Sequence, residues 1–159
     1  MKKIMIAIVL LFISASLLAK SKENLNYVMV DGKAYFGSEI RTGIFKTKLI
    51  TREGQKVKFA NQKIETMMND GHLYEMLPVI CKNNAITNMA MLEYIAGRDG
   101  FRLYRYNCYN PQSGIEQSIV DKDHPESVYY VFEDGKFHLS VNESNAEITL
   151  SFFGIKVTS

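Results

Sequence analysis

The chain has few of the side chains that build compact chemical sites. Its 159 residues include two cysteines and three histidines. None of these stand at C-x-x-C or H-x-x-x-H spacing, so zinc would need His72, His124, His138, Cys81 and Cys108 to assemble over long range. Met67, Met68, Met76, Met89 and Met91 gather around His72 and Cys81, and thioethers suit Cu(I). Methionines in such positions are more simply core filler. No Gly-x-Ser-x-Gly elbow is present, since Gly37-Ser38 lacks the rest of it. No glycine-rich phosphate loop occurs. The acid pairs Asp121/Asp123 and Glu133/Asp134 fall in turn sequence, where they solvate or shape the chain. The sequence therefore calls for no metal and no cofactor. One enzymatic route stays open, a small secreted hydrolase using Cys81 or Cys108 with His124.

Long hydrophobic runs are lacking too, with one exception. Met1-Lys2-Lys3 is followed by an uncharged run from Ile4 to Ala19. This run is shorter than the roughly 20 residues that span a bilayer. A basic start, an apolar centre and a small terminal residue predict a cleaved signal peptide over residues 1–19. The expected destination is exported, either periplasmic or extracellular, with no transmembrane segment left after cleavage. The short Lys-Lys start suggests a bacterial source. In an oxidising compartment, an even cysteine count predicts a disulfide between Cys81 and Cys108.

An excess of one charge is also missing. Without the two leader lysines, 17 basic and 17 acidic residues remain. Nucleic acid is therefore a poor partner. The balance is uneven along the chain, however. Residues 31–63 hold eight basic and three acidic side chains, and residues 110–147 hold eight acidic and two basic. Ordinary solvated faces of opposite sign explain this most simply. The sharper readings are that the two segments pack together, or that the basic half meets an anionic surface.

What the chain does have is turn chemistry. Asp-Gly occurs at 31–32, 70–71, 99–100 and 134–135, each flanked by apolar, aromatic or β-branched residues. Glu53-Gly54 is a weaker fifth case. Asp-Gly suits the two-residue turns of β-hairpins. The pattern predicts strands at 26–30, 33–37, 43–51, 55–60, 72–80, 90–96, 101–108, 127–133 and 136–141, although Ala, Met, Leu and Glu in 85–96 also suit a helix capped by Gly97. Residues 61–68 read as a short helical turn and 109–126 as an acidic loop. The end reads as a helix capped by Asn142 and stopped by Gly154, with Ile148, Phe152 and Ile155 on one face. The fold class is mostly β, a β-rich α+β antiparallel meander of hairpins with a C-terminal helix. A faint boundary at 82–88 separates a small barrel-like lobe, 20–81, from a second lobe, 82–159. One continuous sheet is equally allowed.

The layout resembles a known group. Val30-Asp31-Gly32-Lys33-Ala34-Tyr35-Phe36-Gly37 opens it, and a strand-turn-strand closes on Asn61-Gln62-Lys63-Ile64. Gly100-Phe101-Arg102-Leu103-Tyr104-Arg105-Tyr106 follows, and Tyr129-Tyr130-Val131-Phe132 precedes the terminal helix. This resembles uncharacterised secreted β-rich proteins of Gram-negative envelope and gut bacteria. The resemblance is one of layout and brings no site residues with it.

The richest candidate surface is the strand from Phe101 to Tyr109. Arg102, Tyr104 and Tyr106 would share one face, and Phe101, Leu103 and Arg105 the other. Tyr and Arg anchor interfaces and stack on sugars or peptides. Arg102, Tyr104, Arg105, Tyr106 and Tyr109 are the candidate binding residues. The plainer reading is an amphipathic strand whose aromatic face packs inward. The functional expectation is an exported, non-enzymatic binding or envelope-scaffolding protein whose partner is an envelope protein or a glycan. Mass spectrometry of the protein from an exporting host should find an N-terminus at or near Lys20. An intact Met1 on a membrane-retained chain would refute the signal.

Overall fold

A computed structural model describes residues 25–80, 86–107 and 127–156. The leader, Cys81, Cys108, Tyr109, His124 and the acidic loop lie outside the described residues, and so does the proposed disulfide. The described chain is mostly β. Its strands are β1 (Asn26–Val30), β2 (Lys33–Gly37), β3 (Glu39–Thr42), β4 (Lys46–Ile50), β5 (Lys56–Ala60), β6 (Ile64–Asn69), β7 (His72–Ile80), β8 (Ile86–Arg98), β9 (Phe101–Asn107), β10 (Ser127–Glu133) and β11 (Lys136–Val141). One short helix, α1 (Ala146–Phe152), follows them.

All pairings are antiparallel. Eight strands form one sheet in the order β11-β10-β9-β8-β7-β6-β1-β2, and β3-β4-β5 form a second. The sheet runs unbroken across the faint boundary at 82–88, because β7 pairs with β8. The four Asp-Gly pairs occupy the turns β1–β2, β6–β7, β8–β9 and β10–β11. Each Asp has φ near +50° and each Gly a larger positive φ, the left-handed pair that a type I′ turn requires. The flanking residues pair directly, as in Val30↔Lys33 and Arg98↔Phe101.

Four elements depart from the sequence reading, the first being β3 at Glu39–Thr42, where the pattern predicts no strand. Residues 61–68 are a single 3₁₀ turn at Asn61–Lys63 followed by β6, which fills the place between β1 and β7. The expected strand 43–51 is broken at its start. Gly43, Ile44 and Phe45 make the β3–β4 turn, and Gly43 N–H donates to the Lys46 carbonyl at 3.0 Å. The helix begins one turn later than expected. Asn142 closes a preceding turn instead, its Oδ1 accepting from Ser144 N–H at 3.0 Å. The face packed on the sheet is that of Ala146 and Leu150, which leaves Ile148 exposed.

Register shows how the layers sit. Tyr35, Val28, Met67, Tyr74, Glu93, Arg105, Tyr129 and Val141 are successive cross-strand partners, one row over all eight strands. Opposed residues share a face of the sheet. At one end of this face Ile40 and Leu49 of the small sheet pack on Val28, Val30, Ile64 and Met67. At the other end Ala146 and Leu150 of α1 pack on Leu103, Tyr129, Val131 and Val141. The opposite face carries a third cluster of Val79, Leu92, Tyr104, Val128, Tyr130 and Phe132. There the Tyr130 hydroxyl donates to the Ile80 carbonyl at 3.0 Å. In a flat sheet, strands three apart lie about 14 Å from each other, too far for a tyrosine to span. The sheet therefore curls with this face concave.

The chain crosses from the large sheet to the small one at Gly37-Ser38. Ser38 N–H donates to the Ile50 carbonyl at 2.8 Å. Buried Asn26 fixes the corner, donating from Nδ2 to the Ser38 carbonyl at 3.1 Å and accepting from Asp70 N–H at 2.8 Å. A Cβ on Gly37 would strike the Ile50 carbonyl oxygen and come within 2.7 Å of Leu49 Cδ1. Gly37→Ala should therefore cost about 1–3 kcal/mol, the usual range for overpacking. Urea titration should show a lowered midpoint at unchanged slope. An unshifted midpoint would mean the two sheets are not so closely seated.

Candidate functional site

β9 carries four of the five candidate residues predicted from sequence, Tyr109 lying outside the described residues, and the structure distributes these four over both faces of the sheet. Tyr104 is buried, 2% exposed, within the concave cluster. Tyr106 is half-buried against the same cluster. The aromatic half of the strand thus packs inward. It does so because Tyr104 lies opposite Tyr94 on one side and Tyr130 on the other, in a row of rings. Arg102 shares that face at its open end, and its side chain is 57% exposed.

Two carboxylates missed as site residues organise β9, one on each face. Glu75 of β7 accepts a hydrogen bond from the Tyr104 hydroxyl. Its Oε2 lies 3.4 Å from Arg102 Nη1. Burial and the hydrogen bond to Glu75 push the Tyr104 hydroxyl up to about 12. On the other face Glu93, its side chain 9% exposed, accepts from Arg105 at Nε (3.1 Å) and Nη2 (2.7 Å). His72 Nδ1 stands 2.7 Å from the other Glu93 oxygen. Burial lowers the Arg105 pKa, but the hydrogen bonds it donates to Glu93 and the Glu93 charge outweigh it, so the guanidinium stays above its ordinary value. Tyr74, opposite Glu93, is raised by burial and then by the Glu93 charge. This cluster fills the strip between the small sheet and α1, where neither apolar layer reaches.

The Glu93–Arg105 contact depends on a bulge. Counting back from the Asp99-Gly100 turn would set Arg105 against Tyr94. The register shifts between Tyr94 and Ala96, leaving Ile95 as the extra residue, and Arg105 meets Glu93 instead. Sequence alone gives no sign of that extra residue.

At the turn end of β8 and β9 lies an open recess of about 510 Å³. Tyr94, Arg98, Asp99, Arg102 and Asp134 line it, with the backbone of Gly97 and Gly100. Arg98 is held in place by donating to the Phe152 carbonyl at 2.8 Å and lying over the Phe152 ring. Both side chains are more than half exposed, and each is ion-paired, Arg98 with Asp99 and Arg102 with Glu75. A smaller apolar groove of about 230 Å³ lies on the helix side, between Phe101, His138, Leu139 and α1. Among the described residues no group of three or more His, Cys, Asp or Glu is placed to hold a metal ion. Among them, too, no helix is long and apolar enough to cross a membrane. Comparison with protein-family models, curated proteins and solved structures finds no match to this chain.

The raised Tyr104 hydroxyl has a consequence for stability. The folded state holds the proton more tightly than the unfolded chain, whose tyrosines titrate near 10. This contribution is complete below pH 10 and is lost as pH rises toward 12. Tyr104→Phe should be less stable than the parent by about 1–2 kcal/mol at pH 8, where the Glu75 hydrogen bond is intact. The gap should close between pH 10 and 12. Urea unfolding of both proteins across that range measures it, and a constant gap would refute the pairing.

Proposed function

We propose that this chain is an exported, non-enzymatic binding protein of the cell envelope. Its recognition surface is the recess at the turn end of β8 and β9. One observation carries the reading. Arg102 carries an exposed side chain on the concave face, at the recess that Tyr94 also lines, while the Arg98 guanidinium is held on the helix side by Phe152 and Asp99. Such a set suits a carboxylate-bearing partner, because a guanidinium pairs with a carboxylate through two parallel hydrogen bonds. A tyrosine beside it offers a ring face to a sugar or a peptide side chain. Arg102 is the one predicted binding residue that combines exposure with a place in this recess. Tyr104 serves it from below by holding Glu75, and so sets where the Arg102 stem leaves the sheet.

The partner fitted by this chemistry is an acidic envelope peptide or an acidic glycan. The hydrolase alternative drew on Cys81, Cys108 and His124, all outside the described residues, and no observation favours it.

The test uses co-purification from the native envelope with parent protein and the variant Arg102→Ala. Loss of its charge-assisted contacts should lower recovery of the partner at least tenfold. Arg102 is exposed, so the unfolding midpoint of Arg102→Ala should stay unchanged. Equal recovery by Arg102→Ala and the parent would overturn the proposal.

A further inference from the structure

The small sheet presents a surface that its own fold does not use. Thr47, Leu49 and Ile40 turn inward, so the alternate positions Arg41, Lys46, Lys48, Lys56 and Lys58 turn outward. Register places Arg41 opposite Lys48, and Lys48 opposite Lys58. Three cations thus lie in one row across three strands. Like charges directly opposed destabilise a sheet. Glu39 relieves one of them by pairing with Arg41. Among the described residues, no salt bridge involves Lys46, Lys48, Lys56 or Lys58.

The turn joining β3 and β4 sits at the end of this basic plate. It displays Ile44 at 87% exposure and Phe45 at 80%, the two most exposed large apolar side chains among the described residues. The turn is held from beneath. Asn61 Nδ2 donates to the carbonyls of Gly43 (2.8 Å) and Ile44 (3.1 Å), and Asn61 N–H donates to that of Phe45 (3.1 Å). Its Oδ1 in turn accepts from buried Thr47 at 2.9 Å. Three successive carbonyls of an apolar tip are therefore already satisfied within the protein. A loop entering hydrocarbon needs this, because lipid offers no replacement for water. A loop that only meets water does not.

We infer that the β3–β4 tip and the basic plate behind it dock onto an anionic lipid bilayer. Ile44 and Phe45 enter the boundary between headgroups and acyl chains, and the lysines meet the lipid phosphates. Apolar insertion combined with cationic attraction is the usual basis of peripheral membrane binding. A soluble polyanion would account for the lysine row, but it would give no use to Ile44 and Phe45. The surface is separate from the recess of β8 and β9, so either proposal can fail alone.

The chain has no tryptophan, so Phe45→Trp supplies a single indole at the tip. The protein is purified from an exporting host, and parent and variants share the same N-terminus by mass spectrometry. The probes are phosphatidylglycerol/phosphatidylcholine vesicles, pure phosphatidylcholine vesicles and soluble dextran sulfate. Binding is expected with the anionic vesicles only, with a blue shift of the indole emission and weakening by salt. Ile44→Ser/Phe45→Ser should weaken vesicle binding about a hundredfold. Arg41→Gln/Lys48→Gln/Lys58→Gln should do so by a similar factor. All five positions are on the surface, and unchanged unfolding midpoints check the fold. Three results would each overturn the inference. One is no binding to the anionic vesicles. Another is undiminished binding by the Ile44/Phe45 variant. The third is capture by dextran sulfate with an indole that stays unshifted on vesicles.

Discussion

Two-residue turns are the constraint on which the rest of this structure depends. Each Asp-Gly pair closes a hairpin with no slack, so the residues on either side must pair. A slip by one residue would turn every side chain of a strand to the wrong face. The curled sheet needs both faces in register, since Leu103 and Tyr104, neighbours in sequence, are buried in different cores. Four turns set that register at its hairpin ends, and the bulges then adjust it. Three bulges lie close to such a turn. Glu65, the extra residue of β6, spends its carboxylate on the Gly32 N–H of the first turn at 3.0 Å.

The covering layers follow from the same register. The large sheet has one flank of apolar rows at each end and a polar strip between. The small sheet takes one end and α1 the other. Glu93, Arg105 and His72 fill the middle, where a buried charge pair demands good geometry to be tolerated. The concave face is closed instead by its own aromatic side chains. Tyr94, Tyr104, Phe132 and Phe137 meet edge to face in a chain of contacts. The polar groups on β9 thus lie where two packing solutions meet, and the recess opens beyond them.

Much of the fold was legible because hairpin turns and alternation are local signals. Strands 26–30, 33–37, 72–80, 127–133 and 136–141 stand where the residues placed them. β6 was not legible. Its Ile64-Glu65-Thr66-Met67-Met68-Asn69 has weak alternation, and only β1 and β7 on either side make it a strand. The tip at Ile44-Phe45 read as strand because apolar residues continued the pattern of β4. What bends it is Asn61, 17 residues away from Ile44. The surroundings of the candidate residues were less legible. The setting of Arg102 depends on Glu75 of another strand, and the partner of Arg105 is decided by an extra residue in β8.

The order of strands also sets the order of events when the chain folds. Seven of the nine pairings, β7–β8 among them, join strands consecutive in sequence across a short connection. The β9–β10 pairing spans a longer segment. The pairing of β1 with β6 alone must reach past four other strands, bringing Val30 to Ile64. Closing that loop costs chain entropy before any contact repays it. The hairpins can zip locally on microsecond timescales. The ring closure of β1 onto β6, with the small sheet folded inside the loop, is then the slow step. Until it occurs, the edges of β1 and β6 stay open, and the half-made sheet offers two unpaired backbones to any neighbouring chain.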